Sequence, residues 1–398
     1  MGTHDVTVRC DGWTDVPTLL KVAGLSDFAS GAYPLERMVL DLRGAHTPAK
    51  SAALMEMPWA GFLVDEGRGG AKGRPWLSIQ ESKSSVRQGD VVELLPNLDK
   101  AVIRYRRGGN GNVLFATERC NSYCLMCSQP PRQVEDDWRV DQLCSLVDLI
   151  DKDERQVAVS GGEPTLLGLG LRRIIERCAD VIPDTEVHVL SNGRLLAERA
   201  YAQAFSGVHE KLSWGIPLYG DSYRLHDYIV QSPGAFAQTL RGLYSLNAAH
   251  QPIEIRVVLV KPVVERLAQI ARYIYRNFSF VEHVAFMGIE PTGFARANHE
   301  SLWIDPVDIA APLVDAVDFL SRRAIRTSIY NLPLCTLPEA VWPYSQRSIS
   351  DWKQRYLPEC ETCSVQEQCG GVFAWITPQW TSRAIASING GGLPCARH

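Results

Sequence analysis

Residues 112–300 alternate between short apolar runs and longer amphipathic segments. The short runs are rich in Val, Ile and Leu and predict β-strands, whereas apolar positions at helical spacing in the longer segments predict helices. About six alternations indicate a parallel sheet with helices outside, closed into a barrel or an open portion of one. The predicted strands span 113–117, 156–159, 186–190, 212–217, 253–260 and 281–287, and the predicted helices span 140–150, 168–179, 235–248 and 264–277.

The region before the first of these strands follows a different pattern. Its short apolar runs, 37–42, 61–64, 91–95 and 101–105, are separated by glycine, proline and charged turns. Residues 90–105 have the form of a hairpin. The pattern predicts a small β-rich N-terminal domain over 1–108, joined to the barrel at 108–111. We expect the barrel to occupy 109–300 and a C-terminal extension to occupy 301–398.

Composition narrows the classes of function. The chain has 398 residues, is 45% hydrophobic and carries a formal net charge of −4 with 22% charged residues. There is no broad basic bias of the kind that nucleic-acid-binding proteins show, so we expect no nucleic-acid partner. No apolar run reaches the length of a membrane span and no leader is recognisable, which predicts a cytoplasmic protein. In a reducing compartment, the 11 cysteines are better explained as metal ligands than as disulfides.

Three cysteines follow the first predicted strand directly. Cys120, Cys124 and Cys127 have the spacing CxxxCxxC, which puts three thiolates on one short loop. Three thiolates hold three irons of a [4Fe–4S] cluster and leave the fourth iron open. An open iron can bind a small molecule and pass it an electron, so the spacing favours catalysis over electron storage. A zinc loop or unpaired core thiols are the alternatives.

Polar and glycine residues recur where the next predicted strands end. Gly161, Gly162 and Glu163 follow the second strand, Ser191-Asn192-Gly193 follows the third, and Tyr219 follows the fourth. Glycines let the backbone approach a ligand closely, and a Gly-Gly-Glu segment can present carbonyls and a carboxylate to an ammonium group. In a parallel barrel these strand ends lie on one face, where ligands bind. The cysteine loop would lie on the same face.

Together these motifs resemble the radical S-adenosylmethionine (SAM) superfamily. The likeness is narrower to the radical SAM maturases of the His-Xaa-Ser system, the HxsC family. It rests on Cys-Asn-Ser-Tyr-Cys-Leu-Met-Cys-Ser-Gln-Pro-Pro-Arg (120–132), Gly-Gly-Glu-Pro-Thr-Leu-Leu (161–167), Leu-Ser-Asn-Gly-Arg (190–194), Phe-Met-Gly-Ile-Glu-Pro-Thr-Gly (286–293) and Ile-Tyr-Asn-Leu-Pro-Leu-Cys (329–335).

The resemblance implies an α/β fold with a partial (β/α)6 radical SAM barrel. It implies a [4Fe–4S] cluster with an open iron, SAM, and reductive cleavage of SAM to a 5′-deoxyadenosyl radical that modifies a ribosomally made peptide. The implied partners are a precursor peptide with His-Xaa-Ser repeats, a second radical SAM maturase called HxsB, and an external electron donor of the flavodoxin or ferredoxin type. Neither a membrane nor a nucleic acid is among them.

The resemblance also assigns roles to individual residues. The three loop cysteines would be catalytic cluster ligands. Met126 stands where the superfamily often has an aromatic residue near the adenine. The Gly-Gly-Glu motif with Pro164 would hold the methionine end of SAM. The remaining candidates for contacts with SAM or substrate are Ser191, Asn192, Tyr219, Arg256 and Glu290.

A second cysteine group lies near the C-terminus and consists of Cys335, Cys360, Cys363, Cys369 and Cys395. The resemblance implies a SPASM or twitch extension with an auxiliary [4Fe–4S] cluster. Structural zinc is the alternative, because C-x2-C spacing with further thiolates suits zinc equally well. Whether Cys335 or Cys395 completes the site stays open. Cys10, Cys144 and Cys178 lack partners at ligand spacing and are expected to be small apolar residues.

Two other functions remain open from the sequence. The first is a radical SAM enzyme that acts on a nucleoside or another small metabolite. The second is a non-catalytic SAM-binding partner of a second radical SAM maturase. The N-terminal domain either covers one end of the barrel or holds the leader of a precursor peptide by adding a strand to an exposed sheet edge.

Overall fold

The computed structural model describes residues 5–44, 54–67, 73–80, 86–348 and 353–390. Packing divides the chain into two compact units. The first comprises Met1–Leu114, Trp138–Ala158 and Arg173–Glu186, and the second comprises Phe115–Asp137, Val159–Arg172 and Val187–His398. The first unit therefore includes segments that the sequence pattern assigned to the barrel.

The N-terminal strands close into a barrel of their own. The strand order is β1-β5-β4-β3-β2-β6-β7, and β1 pairs with β7 to complete the ring. The predicted hairpin is confirmed, because β6 and β7 pair antiparallel. The strands are β1 (Asp5–Asp11), β2 (Thr18–Ala23), β3 (Met38–Asp41), β4 (Gly61–Val64), β5 (Trp76–Ile79), β6 (Val91–Leu95) and β7 (Lys100–Tyr105).

Closure of this barrel bears on the expected leader site. Its interior is an apolar cluster that includes Val8, Leu20, Leu63 and Leu94, each of them fully buried. Every described strand of the barrel has a partner on both sides, so none of them offers an open edge. Strand addition to this barrel, the mechanism suggested for leader binding, therefore has no edge to use.

The rest of the described residues build a second sheet of eight strands. Its order is β15-β14-β13-β12-β11-β10-β9-β8. All neighbouring pairs from β10 to β15 are parallel. The strands are β8 (Val113–Phe115), β9 (Gln156–Ser160), β10 (Glu186–Leu190), β11 (Leu212–Pro217), β12 (Ile253–Leu259), β13 (His283–Gly288), β14 (Arg326–Tyr330) and β15 (Ser345–Gln346).

The six strands predicted within residues 112–300 correspond to β8–β13, but the sheet does not stop there. Strands β14 and β15 lie beyond residue 300, in the segment expected to form a separate extension, and they continue the same sheet. The reason is that β14, whose three central residues are buried, follows a long helix and adds another helix–strand repeat at the edge that β13 would otherwise leave open. The class of the fold, α/β with a parallel sheet, is confirmed.

Helices connect the strands. Those predicted at 140–150, 168–179 and 235–248 are α2, α3 and α6, and the one predicted at 264–277 is α8, which begins at Leu267. The pattern missed α11, which contains Pro312. No helix in the described ranges is both long and apolar enough to cross a membrane. The helices are α1 (Leu25–Ser30), α2 (Arg139–Val147), α3 (Leu169–Val181), α4 (Arg199–Gln203), α5 (Tyr223–Val230), α6 (Ala235–Ala248), α7 (Lys261–Val264), α8 (Leu267–Asn277), α9 (Phe294–Ala297), α10 (His299–Leu302) and α11 (Pro306–Ser321).

Candidate active site and second cysteine group

The cysteine loop follows β8 and is held by backbone contacts to distant parts of the chain. The N–H of Leu125 donates to the carbonyl of Ile229 at the end of α5, over 2.9 Å. The N–H of Phe294 donates to the carbonyl of Cys127 over 2.8 Å, and within the loop the N–H of Cys127 donates to the carbonyl of Cys124. The loop is thus fixed by two segments of the second unit that are far from it in sequence.

The three thiols of this loop share one partly buried region. Burial, followed by the charge of Glu163, raises the pKa of Cys120 to about 11. Burial also raises the pKa of Cys124, and the charges of Cys127 and Cys120 raise it further. Cys124 therefore lies close enough to the other two thiols to interact with them electrostatically. A bound metal would reverse the shift, because a coordinating thiol is deprotonated.

The three loop thiols are compatible with a cluster whose ligands each bind a different iron. Across the described ranges, no three Cys, His, Asp or Glu side chains are arranged to hold one metal ion. The ligands of a [4Fe–4S] cube each bind a different iron, so they surround the cube without converging on one point. Three neighbouring thiols on an anchored loop fit that requirement.

The two glycines of the Gly-Gly-Glu motif bring the end of β9 against the segment that leads into the cysteine loop. The N–H of Gly162 donates to the carbonyl of Thr117 over 2.7 Å, and the N–H of Glu163 donates to the carbonyl of Arg119 over 2.8 Å. A Cβ on Gly161 would lie 2.4 Å from the oxygen of Thr117, and one on Gly162 would lie 2.1 Å from the oxygen of Arg119. Only glycine permits this approach.

The Glu163 side chain is fully buried and bound by the protein itself. Its Oε1 accepts hydrogen bonds from the N–H of Thr165 at 3.0 Å and the hydroxyl of Ser191 at 2.7 Å. Its Oε2 accepts one from the N–H of Asn192 at 2.6 Å. Burial raises the pKa of Glu163, although these hydrogen bonds oppose the shift. The carboxylate thus joins the ends of β9 and β10, and a contact with a ligand's ammonium group stays a prediction.

We expect Glu163→Gln to destabilise the protein by about 1–3 kcal/mol, since in either orientation the amide NH2 replaces an oxygen that accepts from a buried backbone N–H, that of Thr165 or that of Asn192. SAM affinity should fall as well, because the end of β10 at Ser191 and Asn192 loses hydrogen bonds to the end of β9. Urea unfolding and SAM titration would measure both effects. Glu282→Gln, at an exposed position, serves as the control. Equal unfolding midpoints for the two variants would contradict this role of Glu163.

Arg194, which the sequence analysis did not select, connects the end of β10 to the cysteine loop. Its Nη1 donates to the Ser122 hydroxyl at 3.0 Å and to the carbonyl of Asn121. Beside it, the Asn192 amide donates to the Asn121 side-chain oxygen at 2.6 Å. The positive charge of Arg194 also lowers the pKa of Cys124 against the larger effect of burial. The feature of the sequence that could have indicated Arg194 is its position as a basic residue directly after Ser-Asn-Gly.

Tyr219 is buried near the cysteines, as its position after β11 predicted. Burial raises the pKa of its hydroxyl, and the charges of Cys124 and Cys127 add to the shift. Its backbone N–H donates to Nδ1 of His226 over 3.3 Å, and the two rings stack with centroids 5.8 Å apart. Burial lowers the pKa of His226 to about 4, so this imidazole is neutral at physiological pH. Tyr219 is therefore held rigidly beside the loop.

Arg256 and Glu290 are both paired with protein charges. Arg256 Nη1 lies 2.9 Å from Oε1 of Glu254, whose Oε2 is 2.7 Å from Nδ1 of His283. Burial would raise the pKa of Glu254, but hydrogen bonds from His188 and His283 and the Arg256 charge lower it overall. Glu290 lies 3.6 Å from Lys353. Contacts of Arg256 or Glu290 with SAM or substrate stay predictions.

Two smaller candidates have local roles. Met126 is buried, with 7% of its surface exposed, next to the loop cysteines. Pro164 begins a short 3-10 helix over Pro164–Leu167, and Glu163 caps it by accepting from Thr165. Both residues therefore shape the backbone around the site, and a contact of Met126 with adenine stays a prediction.

Four of the C-terminal cysteines also lie near each other. The Sγ of Cys369 accepts hydrogen bonds from the N–H groups of Leu334 at 3.3 Å and Gly371 at 3.4 Å. Burial raises the pKa of Cys369, and the charges of Cys360 and Cys363 raise it further. Cys335 is influenced in the same way by Cys369 and Cys360. Cys395 lies outside the described residues.

Comparison with known proteins identifies the class to which this site belongs. Residues 114–274 match the model of the Radical SAM superfamily. The match contains Cys120, Cys124, Cys127 and the Gly-Gly-Glu motif. The match confirms the broader resemblance, which is to the radical SAM superfamily. The narrower resemblance to the His-Xaa-Ser maturases stays a prediction.

Particular relatives match only part of the chain. It is 23% identical over 223 residues to the GTP 3′,8-cyclase of Pelotomaculum thermopropionicum. This match covers 54% of this chain and 64% of the cyclase. Streptococcus suis SuiB bound to S-adenosylmethionine is 14% identical with a TM-score of 0.44, over 61% of this chain and 54% of SuiB. Native anSMEcpe with bound AdoMet and Cp18Cys peptide is 17% identical with a TM-score of 0.44, and the match covers 55% of this chain and 62% of anSMEcpe. The chain thus spans less than two thirds of each relative.

Proposed function

We propose that the chain is a radical SAM enzyme that cleaves SAM reductively and modifies a ribosomally made peptide of the His-Xaa-Ser type. The observation that carries this proposal is the joining of the cysteine loop to the Gly-Gly-Glu motif through the bonds from Gly162 to Thr117 and from Glu163 to Arg119. The match of this segment to the Radical SAM superfamily supports it. The partners would be the precursor peptide, HxsB and a flavodoxin-type or ferredoxin-type electron donor.

Each group of site residues would have a separate role. Cys120, Cys124 and Cys127 would hold a [4Fe–4S] cluster, which when bound supplies an electron to SAM for the formation of a 5′-deoxyadenosyl radical. The backbone at Gly161 and Gly162 would bind the methionine end of SAM. Glu163 keeps that backbone in place through Ser191 and Asn192. Buried Tyr219 and Met126 exclude water from the side of the loop that they cover.

A small-molecule substrate is the second candidate. It is favoured by the similarity of 223 residues to a protein named GTP 3′,8-cyclase. We prefer the peptide because of the second cysteine group, which resembles the extensions of peptide-modifying enzymes. A non-catalytic role as the SAM-binding partner of another maturase is a third candidate, and the complete cysteine triad argues against it.

The test measures 5′-deoxyadenosine formation by the anaerobically reconstituted chain with dithionite and SAM. We expect slow SAM cleavage alone and faster cleavage with a precursor peptide that contains His-Xaa-Ser repeats, accompanied by a mass change of the peptide. A scrambled peptide is the control. Stimulation by GTP and not by the peptide would favour the second candidate, and no SAM cleavage under any condition would favour the third.

The second cysteine group is tested separately. We expect a Cys360→Ala/Cys363→Ala variant to lose about four irons per chain if the group holds an auxiliary [4Fe–4S] cluster, and one zinc if it is a structural site. The front site uses other cysteines, so SAM should still perturb the electron paramagnetic resonance signal of the reduced protein. Iron, sulfide and zinc analysis would measure the change. Unchanged metal content would remove both explanations. Cys395→Ala, compared with Cys335→Ala, would show which residue completes the site.

A further inference from the structure

Arg194 is fixed from two sides at the C-terminal end of β10. On one side its Nη1 donates to the Ser122 hydroxyl over 3.0 Å and to the carbonyl of Asn121. On the other side its Nε donates to Oε1 of Gln238, on α6, over 2.7 Å. The residue is half-buried. Because the guanidinium donors form a rigid, planar fork, partners on both sides hold the group in one orientation.

The backbone that carries this side chain is held as well. The Asn192 amide donates to the side-chain oxygen of Asn121 over 2.6 Å, and the Asn192 carbonyl accepts from the Thr239 hydroxyl at 3.0 Å. A Cβ on Gly242 would lie 2.1 Å from the carbonyl oxygen of Gly193, so α6 packs directly against this strand end. The end of β10 therefore joins α6 to the cysteine loop.

The positive charge of Arg194 has no carboxylate among its partners in the described part of the chain. All of its hydrogen bonds go to uncharged groups. Two arginines close to the same loop differ in this respect: Arg119 Nε lies 3.0 Å from Oδ1 of Asp136, and Arg132 Nη1 lies 3.3 Å from Oε2 of Glu118. Burying a charge without a counter-charge costs free energy. Arg194 therefore indicates that a negative charge binds close to it.

The residues that Arg194 contacts indicate the source of this negative charge. Asn121 and Ser122 lie between Cys120 and Cys124 in the sequence, and the charge of Arg194 also acts on the Cys124 thiol. Thiols that coordinate a metal are deprotonated. Three thiolates around a [4Fe–4S] cluster would give this loop an excess of negative charge. A fixed guanidinium within hydrogen-bond distance of the loop would offset it.

We propose that Arg194 is a positioning residue that holds the cysteine loop and supplies the counter-charge that makes its cluster easier to reduce. The inference rests on the proposed function and adds the residue that would tune the cluster's reduction potential. Net charge and hydrogen bonds are among the factors that set the potentials of Fe–S clusters. An electron from the external donor, or from dithionite in vitro, adds one negative charge, which is more stable beside a guanidinium.

The test uses the full-length protein after anaerobic reconstitution and measures the midpoint potential of the cluster by electron paramagnetic resonance, with dithionite as reductant and without SAM. Arg194→Gln removes the charge, whereas Arg194→Lys keeps the charge and loses the planar fork. We expect the midpoint potential to become more negative in Arg194→Gln and to stay close to the wild-type value in Arg194→Lys. Arg199→Gln is the matched control, because Arg199 is exposed at the start of α4.

Hydrogen exchange of the full-length, cluster-free protein tests the hold on the loop separately. The N–H groups of Leu125 and Cys127 are hydrogen-bonded, so their exchange reports whether the loop keeps its conformation. We expect exchange about tenfold faster in Arg194→Gln than in the wild type, in keeping with the loss of hydrogen bonds from a charged group. Arg199→Gln should exchange at the wild-type rate. Equal exchange in the two variants would overturn the positioning role.

The counter-charge role would be wrong if Arg194→Gln and Arg199→Gln had equal midpoint potentials, or if Arg194→Lys shifted as far as Arg194→Gln. An unchanged potential with weaker SAM binding in Arg194→Gln would overturn it too, by assigning the charge to the carboxylate of SAM. If Arg194→Gln takes up no iron, iron uptake becomes the measurement: full uptake by Arg194→Lys supports the inference, and no uptake overturns it.

Failure of the inference and failure of the proposed function give different results. A wild-type protein without any iron–sulfur signal after reconstitution would remove the proposed function. A cluster with a SAM-sensitive signal and the same midpoint potential in every variant would remove only the role of Arg194.

Discussion

A Cys124→Ala variant is expected to lose SAM cleavage completely and about four irons per chain. The thiol of Cys124 lies in the middle of the CxxxCxxC loop, and its pKa responds to the charges of Cys127 and Cys120. A cluster held by three thiolates does not keep its open iron in place when one of them is missing. Production of 5′-deoxyadenosine and the iron content after anaerobic reconstitution are the two measurements.

The control for this variant is Cys144→Ala. Cys144 is partly exposed on α2, and it belongs to neither group of cysteines with ligand spacing. Its removal should leave the iron content and SAM cleavage unchanged. The proposed site would be wrong if Cys124→Ala kept its full iron content and its SAM-sensitive electron paramagnetic resonance signal.

Asp151→Ala is expected to destabilise the first unit by about 3–5 kcal/mol, because it leaves a buried positive charge without its partner. Lys21 is fully buried, and its Nζ lies 2.8 Å from Oδ1 of Asp151 and 2.8 Å from the carbonyl of Leu149. Arg107 Nε lies 2.7 Å from Oδ2, and the Tyr33 hydroxyl donates to Oδ1 over 2.9 Å. Urea unfolding at neutral pH measures the loss.

The control is Asp153→Ala, two residues along the chain, because Asp153 is exposed. Surface substitutions of this kind usually change the free energy of unfolding by less than about 0.5 kcal/mol. A loss below about 1 kcal/mol for Asp151→Ala, set against the range typical of broken buried pairs, would show that Lys21 is not held as a buried cation.

The same carboxylate predicts how stability depends on pH. Burial would raise the pKa of Asp151, but hydrogen bonds from Arg107 and Lys21 and their charges bring it well below its ordinary value. The unfolded chain therefore takes up the proton first. The stabilisation is complete above the unfolded pKa of about 3.9 and is lost as the pH falls towards the folded pKa. The unfolding free energy should decrease more steeply below pH 5 in the wild type than in Asp151→Ala.

Local patterns predicted the parts of the site that depend on neighbours in sequence. The CxxxCxxC spacing, the glycines after β9 and the alternation of strand and helix all lie within short windows, and the family match to 114–274 agrees with them. Arg194 was missed because its role in the site depends on hydrogen bonds to Asn121 and Ser122, which are more than seventy positions away in the sequence. Such contacts leave no periodic trace in the sequence.

The sequence by itself determined the chemistry available to this protein: three thiols on one loop, a Gly-Gly-Glu segment, a second cysteine group and an alternating α/β pattern. Only the tertiary structure decided the rest. It closed the N-terminal strands into a barrel in which no described strand has a free edge, extended the second sheet to eight described strands, and buried the Glu163 carboxylate among Thr165, Ser191 and Asn192. The physical reason is that strand pairing and the burial of polar groups depend on partners brought together by folding, whereas spacing and periodicity depend only on neighbours along the chain.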